Sequence, residues 1–216
     1  MPLFRKQSGV VLAGIATFSI LAQEAVAADG SSWMVGASIG SSNFEYDAGR
    51  CENAMPSAAL SWSCTSKNSD LGYKLTAGYR FAPVFSLEAA YVNFGKLEIN
   101  GASSNPSATE IHGETKASGF NLMAVGHYAF NEKLSIFGKL GFIVAKATAS
   151  EALTGAQRSV SESSATSAFG LGGQYNLARN LSLRVEWERF KSIGDEQKTH
   201  TNDIDLPSLG VMYTFK

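Results

Sequence analysis

Most of the chain alternates between apolar and polar residues with a period of two. In the segment LGYKLTAGYRF, which runs from Leu71 to Phe81, Leu75 shares one face with these two residues, whereas Lys74 and Arg80 lie on the other face. This alternation predicts a β-strand whose two faces meet different environments.

The same pattern recurs in eight segments that are joined alternately by short and long connections. Three hairpins are predicted around three-residue turns, which are Ala82-Pro83-Val84, Asn131-Glu132-Lys133 and Ala178-Arg179-Asn180. The segments SWMVGASIGSSNF and PSLGVMYTFK supply the first and last strands, and polar segments at residues 45–70, 95–117, 147–165 and 190–206 are predicted as long external loops. An even number of strands with this layout predicts an all-β, eight-stranded, antiparallel up-and-down transmembrane β-barrel.

The first 27 residues have the order of a secretory signal peptide. Arg5 and Lys6 precede an apolar run, and the small-residue triplet Ala25-Val26-Ala27 follows it. The run is shorter than the ~20 residues that a spanning helix needs, so we expect cleavage after Ala27 and a barrel domain at residues 28–216. Cleavage would also remove Glu24, and the remaining formal charge of −2 argues against a nucleic-acid partner.

Aromatic residues favour a barrel whose apolar face meets lipid. A secreted soluble carrier of the lipocalin type has the same period and is the alternative. However, one set of aromatics lies beside the short turns and a second beside the long connections, as expected for girdles at two membrane interfaces. The first set is Trp33, Tyr79, Phe81, Phe85, Tyr128, Phe130, Tyr175, Tyr213 and Phe215, and the second is Phe44, Phe94, Phe120, Phe142, Phe169, Trp187 and Phe190.

The opposite face is rich in small residues and carries charges of both signs. An eight-stranded barrel has room inside only for side chains, so charges in this lumen must pair. Counting from the short turns places Glu88 and Arg184 in one layer of opposite walls, on the third and seventh predicted strands, and Lys139 and Glu186 one layer higher. The full set on this face is Lys74, Arg80, Glu88, Lys139, Arg184, Glu186 and Glu188.

A bridge from Glu88 to Arg184 would cross the lumen and block it. Two interpretations follow: a structural plug, which we favour because buried ion pairs commonly do no more than offset each other's desolvation, and a gate whose opening gives a minor pore.

The two cysteines, Cys51 and Cys64, lie in the first polar segment. In an exported chain this spacing predicts one disulfide, with free thiols as the alternative. No histidine lies between them, so a metal site is not expected, and the sequence contains no cofactor motif.

Little in the sequence indicates an enzyme. His112 and His200 lie in predicted loops, and His127 is expected inside the lumen as a hydrogen-bonded structural residue. The nucleophile motif G-x-S-x-G is absent from the sequence. A lipid-modifying enzyme on the same barrel is the alternative function.

The chain resembles the OmpA-like transmembrane barrel family over residues 32–215. The resemblance is carried by LGYKLTAGYRFAPVFSLEAAY, LSIFGKLG, YNLARNLSLRVEWERFKSIGD and PSLGVMYTFK. It implies that Glu88 pairs with Arg184, whereas the lumen lysine and glutamate of the family are replaced by Val125 and Gln174. These replacements remove the alternative partners that a switching bridge would use.

The resemblance also implies an outer-membrane location. The chain departs from the larger family members in that a barrel domain alone is expected, without their peptidoglycan-binding domain. The expected role is structural or in surface interaction. The expected partners are outer-membrane lipid and lipopolysaccharide, the barrel-insertion machinery during assembly, and host or surface ligands at the loops.

Overall fold

The computed structural model describes residues 31–45, 62–103, 109–153, 156–194 and 202–215. The described residues contain no helix long and apolar enough to cross a membrane. Their regular structure consists of nine strands, which are β1 (Ser32–Phe44), β2 (Trp62–Lys67), β3 (Ser69–Ala82), β4 (Phe85–Ser103), β5 (Thr109–Ala129), β6 (Leu134–Leu153), β7 (Ala156–Asn176), β8 (Leu181–Ile193) and β9 (Asn202–Thr214).

Eight of these strands close into an antiparallel ring. Strand β1 pairs with β3 on one side and with β9 on the other, and the ladder continues through β8, β7, β6, β5 and β4 back to β3. The short strand β2 is the ninth; it is separated from β3 by Asn68 and extends the ladder against the far end of β4. The predicted eight-stranded barrel is therefore confirmed, and the third and seventh predicted strands are β4 and β8.

The apolar side chains of the alternating pattern point outward. Leu75 and Val185 are 55% and 59% exposed, whereas their neighbours Lys74 and Arg184 are 2% and 3% exposed. The outer surface thus carries a continuous apolar belt, which in a soluble protein would face water at high cost. The soluble-carrier alternative is wrong for this reason.

Aromatic residues beside the short turns lie on this outer surface. Trp33 and Tyr79 pack with their ring centroids 4.9 Å apart, and Tyr128 and Phe130 pack edge to face at 5.2 Å. They form the predicted girdle at the end of the barrel that carries the short turns.

The short turns differ in length from the prediction. The first has two residues between its strands, Pro83 and Val84, and the other two have four each, at residues 130–133 and 177–180. In the second turn the side-chain oxygen of Asn131 accepts hydrogen bonds from the backbone N–H groups of Lys133 and Leu134. The side chain therefore satisfies backbone groups that the ladder leaves unpaired.

Two of the predicted external loops are largely strand. Pairing between β4 and β5 continues to Ser103 and Thr109, and pairing between β6 and β7 continues to Leu153 and Ala156. The prediction of loops at residues 95–117 and 147–165 is wrong because the extended hairpins form strands, although they consist mostly of polar and small residues beyond the buried Leu97, Ala117 and Ala147. Their backbone ladder continues without the apolar alternation that identified the other strands.

Three aromatics assigned to the second girdle lie inside the barrel. Phe44, Phe94 and Phe190 are buried, and the rings of Phe94 and Phe190 meet edge to face with centroids 4.9 Å apart. Their interpretation as an interface girdle is wrong because alternation along each strand puts them on the lumen face. With their neighbours they form an apolar layer in the lumen, which also includes Val92, Leu97, Ile143, Ile193, Ile204 and Leu206.

Strand β4 is interrupted by a bulge at Gly95. The register with β5 shifts between Asn93 and Lys96, and Gly95 has a φ of 70°. A side chain at this position would collide with Asp70, so both the conformation and the close approach require glycine. The bulge turns Lys96 to the outer face and Leu97 to the lumen.

Candidate functional site

The charged residues of the lumen come from four strands. Lys74 lies on β3, Glu88 on β4 and Lys139 on β6, while β8 contributes Arg184 and the two glutamates that follow it at alternate positions, Glu186 and Glu188. Each residue occupies an inward position of its strand, so the alternation that builds the outer belt also brings these side chains together inside.

The carboxylate of Glu88 contacts two cations in the lumen, Arg184 and Lys139. Its Oε1 lies 2.8 Å from Nη1 of Arg184, and its Oε2 lies 3.0 Å from Nζ of Lys139. The predicted contact between Glu88 and Arg184 thus spans the barrel from β4 to β8.

Lys139 and Lys74 connect the remaining carboxylates. Nζ of Lys139 lies 2.5 Å from Oε2 of Glu186 and 3.5 Å from Oε1 of Glu188. Nζ of Lys74 lies 2.6 Å from Oε1 of Glu186 and also pairs with Glu188. The two layers expected from the sequence therefore merge into one cluster, because the long side chain of Lys139 reaches both levels.

The cluster contains three cations and three carboxylates, all of them buried. We call these six residues the lumen network: Lys74, Glu88, Lys139, Arg184, Glu186 and Glu188. The three positive and three negative charges compensate each other's loss of hydration. A buried charge without a partner would be strongly destabilising. Glu188 was expected on the inner face but not in an ion pair, although its position two residues after Glu186 on the same strand was sufficient to predict one.

Arg80 lies apart from the lumen network. It occupies the rung that pairs with Ser86, one inward position nearer the short turns than Glu88. Among the described residues Arg80 forms no salt bridge, and its Nε has no hydrogen-bond partner. Arg80 therefore makes no direct ion pair with the lumen network, and the cations that contact Glu88 are Arg184 and Lys139.

Arg184 is held from several sides. Its guanidinium lies 4.5 Å from the ring centroid of Phe137, and its Nη2 donates to Oε1 of Gln174 at 3.1 Å. Gln174 is thus a neutral acceptor at a position where the family resemblance implies a glutamate. Val125, where it implies a lysine, is buried and apolar.

Ser86 and His127 form a hydrogen-bonded pair below the lumen network. Oγ of Ser86 lies 2.9 Å from Nε2 of His127. The histidine thus has a lumen partner, as the sequence predicted. Ser86 is only 1% exposed, so a substrate has no access to its hydroxyl in this conformation.

The predicted disulfide and the expected absence of a metal site both concern Cys51 and Cys64. Cys51 lies outside the described residues; Cys64 lies in β2 opposite Gly101, but its side chain is not described. Within the described ranges, no group of three histidine, cysteine, aspartate or glutamate side chains could hold a metal ion.

Comparison with known proteins identifies relatives over almost the whole chain. Residues 28–216 match the family model described as OmpA-like transmembrane domain. Outer membrane protein A of Klebsiella pneumoniae is 28% identical over 86% of this chain and 51% of its own length, and that of Salmonella typhi is 27% identical over 98% and 55%. The chain thus spans about half the length of these relatives.

Two solved structures are among the matches to this chain. Ail, the attachment invasion locus protein of Yersinia pestis, has 19% identity and a TM-score of 0.49, with 86% of this chain and 97% of Ail covered. Neisserial surface protein A has 16% identity and a TM-score of 0.48, with 87% of this chain and all of that chain covered.

We predict that the two lumen arginines differ sharply in their effect on stability. Replacing Arg184 by Gln leaves Glu88 partly uncompensated and should lower the free energy of unfolding by about 3–5 kcal/mol. Replacing Arg80 by Gln removes a cation that has no ion-pair partner and should cost less than about 1 kcal/mol. Urea unfolding of both variants in lipid vesicles measures the difference, and equal losses would contradict the network as described.

Proposed function

Because the chain belongs to the OmpA-like transmembrane domain family and is an outer-membrane β-barrel, we propose that it has a structural and surface-interaction role without enzymatic activity. In this proposal the barrel anchors polar hairpins outside the membrane, and its lumen is a packed core that does not conduct ions. The observation that carries the proposal is the filled lumen, in which the lumen network is followed by an apolar layer.

Two successive barriers support a plugged lumen. The lumen network crosses the barrel between β4 and β8 through Glu88 and Arg184. Toward the extended hairpins, Phe94 and Phe190 meet across the same space. An ion passing along the axis would have to displace both the paired charges and the apolar layer, and the second offers it no polar partner.

The extended hairpins support a role at the cell surface. The outward apolar row ends at Val144 and Ala165 on β6 and β7, and pairing continues from there to Leu153 and Ala156. Nine further residues of β6 correspond to roughly 30 Å of strand at 3.3 Å per residue. Backbone pairing holds this length in an ordered form, which suits a contact with host or surface ligands.

The remaining expected partners follow from the membrane location. The outer belt contacts outer-membrane lipid and lipopolysaccharide, and the strands fold with the help of the barrel-insertion machinery. Export requires the signal peptide at residues 1–27, and a disulfide between Cys51 and Cys64 would stabilise the first loop by on the order of 3 kcal/mol in the chain-entropy model.

We predict that breaking the central bridge leaves the barrel closed to ions. In planar-bilayer recordings, Glu88→Ala and Arg184→Ala should show the same low conductance as the unsubstituted protein, because the apolar layer still blocks the lumen. Glu114→Ala, on the outer face of β5, is the matched control, and faster migration of unboiled samples on a gel shows that each variant is folded. A conductance that rises only in the two lumen variants would establish a gate and refute the plug.

We predict that the protein purified from outer membranes begins at Ala28 and contains no free thiol. Its intact mass should match residues 28–216, and alkylation should add nothing before reduction and two groups after it. A mass that retains residues 1–27 would exclude cleavage, and two alkyl groups without reduction would exclude the disulfide.

A further inference from the structure

Three lysines lie on the outer surface where the apolar belt ends. Tyr91, Phe120 and Val144 face one another in register on β4, β5 and β6 and form the last apolar row on this side of the barrel. The next outward row is polar and contains Lys146 on β6. In the row after that, Lys96 of β4 pairs directly with Lys116 of β5.

These lysines border a common recess. It has a volume of about 420 Å³ and lies beside the bulge at Gly95. We call it the lysine recess. Besides the three lysines and Gly95, its lining includes Asp70, Asn93 and Ser118.

Like charges that face each other across a ladder destabilise it unless an anion compensates them. Glu114 lies 2.7 Å from Nζ of Lys116 and 3.4 Å from Nζ of Lys96, and Glu98 lies 2.5 Å from Lys96. The hydrogen bond from Lys116 holds the pKa of the Glu114 carboxyl below its usual range. Slight burial raises this pKa, and the hydrogen bond from Lys96 lowers it further. Glu98 and Glu114 thus form ion pairs with two of the three lysines, Lys96 and Lys116.

Lys146 has no such partner. Among the described residues no carboxylate forms a salt bridge with it, and its side chain is exposed beside the recess. The ammonium of Lys116 also keeps an open side, since its side chain is 66% exposed despite the contact with Glu114. The recess also contains Asp70, whose carboxylate accepts a hydrogen bond from the backbone N–H of Lys96. The positive charge that stays exposed toward the surroundings of the barrel is therefore that of Lys116 and Lys146.

Neutral donors complete the recess. The side-chain oxygen of Asn93 accepts a hydrogen bond from the backbone N–H of Gly95 at 2.9 Å, which directs its amide nitrogen away from the backbone. Ser118 lies on β5, in the same outward row as Asn93 of β4 and Lys146 of β6, and supplies a hydroxyl group. Ammonium, amide and hydroxyl donors around one cavity match the oxygen atoms of a phosphate group.

We propose that the lysine recess binds a phosphate group of a lipid in the outer leaflet. The position of the recess along the barrel favours a phosphate carried by a lipid. The recess adjoins the last apolar row, at the level where lipid headgroups begin above the acyl chains. The acyl chains of the same molecule would lie along Phe120 and Val144. This inference rests on the proposed contact with lipopolysaccharide, whose lipid A moiety carries phosphates at this depth, and it assigns that contact to one side of the barrel.

The test compares two double variants with equal charge changes. Lys116→Gln with Lys146→Gln removes the exposed ammonium groups of the recess. Lys133→Gln with Lys191→Gln is the matched control, since Lys133 lies in a short turn at the opposite end and Lys191 is already paired with Asp203 at 2.6 Å. Unboiled gel migration shows that both proteins are folded.

Binding is measured by native mass spectrometry of the detergent-solubilised barrel with bis-phosphorylated lipid A and with the same lipid A after enzymatic dephosphorylation. We expect the recess variant to bind the phosphorylated lipid about tenfold more weakly or worse, since it lacks both exposed ammonium donors, and the control variant to bind it normally. We also expect dephosphorylated lipid A to bind the unsubstituted protein as weakly as the recess variant binds the intact lipid.

Three results would overturn the inference. These are unchanged binding by the recess variant, equal binding of dephosphorylated lipid A, and complete displacement of lipid A by inorganic phosphate, which would show that the lipid is not required. None of them bears on the plugged lumen, because conductance does not depend on these exterior lysines. A failure of this inference is therefore distinguishable from a failure of the proposed function.

Discussion

The structure depends on the requirement that backbone polar groups be hydrogen-bonded where lipid replaces water. A sheet satisfies this requirement only when it has no free edge, and here β1 closes the ring by pairing with β3 and β9. Closure also fixes which side chains face lipid. Because alternate residues of a strand point to opposite faces, the apolar set can occupy the outer belt only if the other set enters the lumen.

The contents of the lumen follow from that constraint. Eight strands enclose a space that side chains fill, so inward charges must find partners within it. Lys139 reaches three carboxylates on two strands, and Arg184 is held by Glu88, Gln174 and Phe137. The apolar layer around Phe94 and Phe190 fills the part of the lumen beyond these charges.

Much of this arrangement follows from the period of the sequence alone. Alternation predicted the eight spanning strands, and counting from the short turns predicted that Glu88 would meet Arg184. The assignment of Phe44, Phe94 and Phe190 to a girdle failed because it considered their distance from the strand ends and ignored their parity. Parity alone would have put them in the lumen.

The extended hairpins, the full set of partners of Glu88 and the lysine recess cannot be predicted from the period of the sequence. The extended hairpins consist mostly of polar and small residues, so their strands lack the regular apolar face that identified the others. That Glu88 contacts Arg184 and Lys139 rather than Arg80 depends on three-dimensional distances, which the alternation does not give. The lysine recess lies beside the bulge at Gly95 and the pairing of Lys96 with Lys116, neither of which is visible without the register.

The central claim is that the apolar face of every spanning strand points to lipid, and nitroxide labels at Leu75 and Val185 test it most directly. In reconstituted vesicles, collisions of both labels with dissolved oxygen should exceed their collisions with a water-soluble nickel reagent. A label at Lys133 in a short turn should show the reverse. If the labels at Leu75 and Val185 were instead accessible to the nickel reagent and shielded from oxygen, the orientation described above would be contradicted.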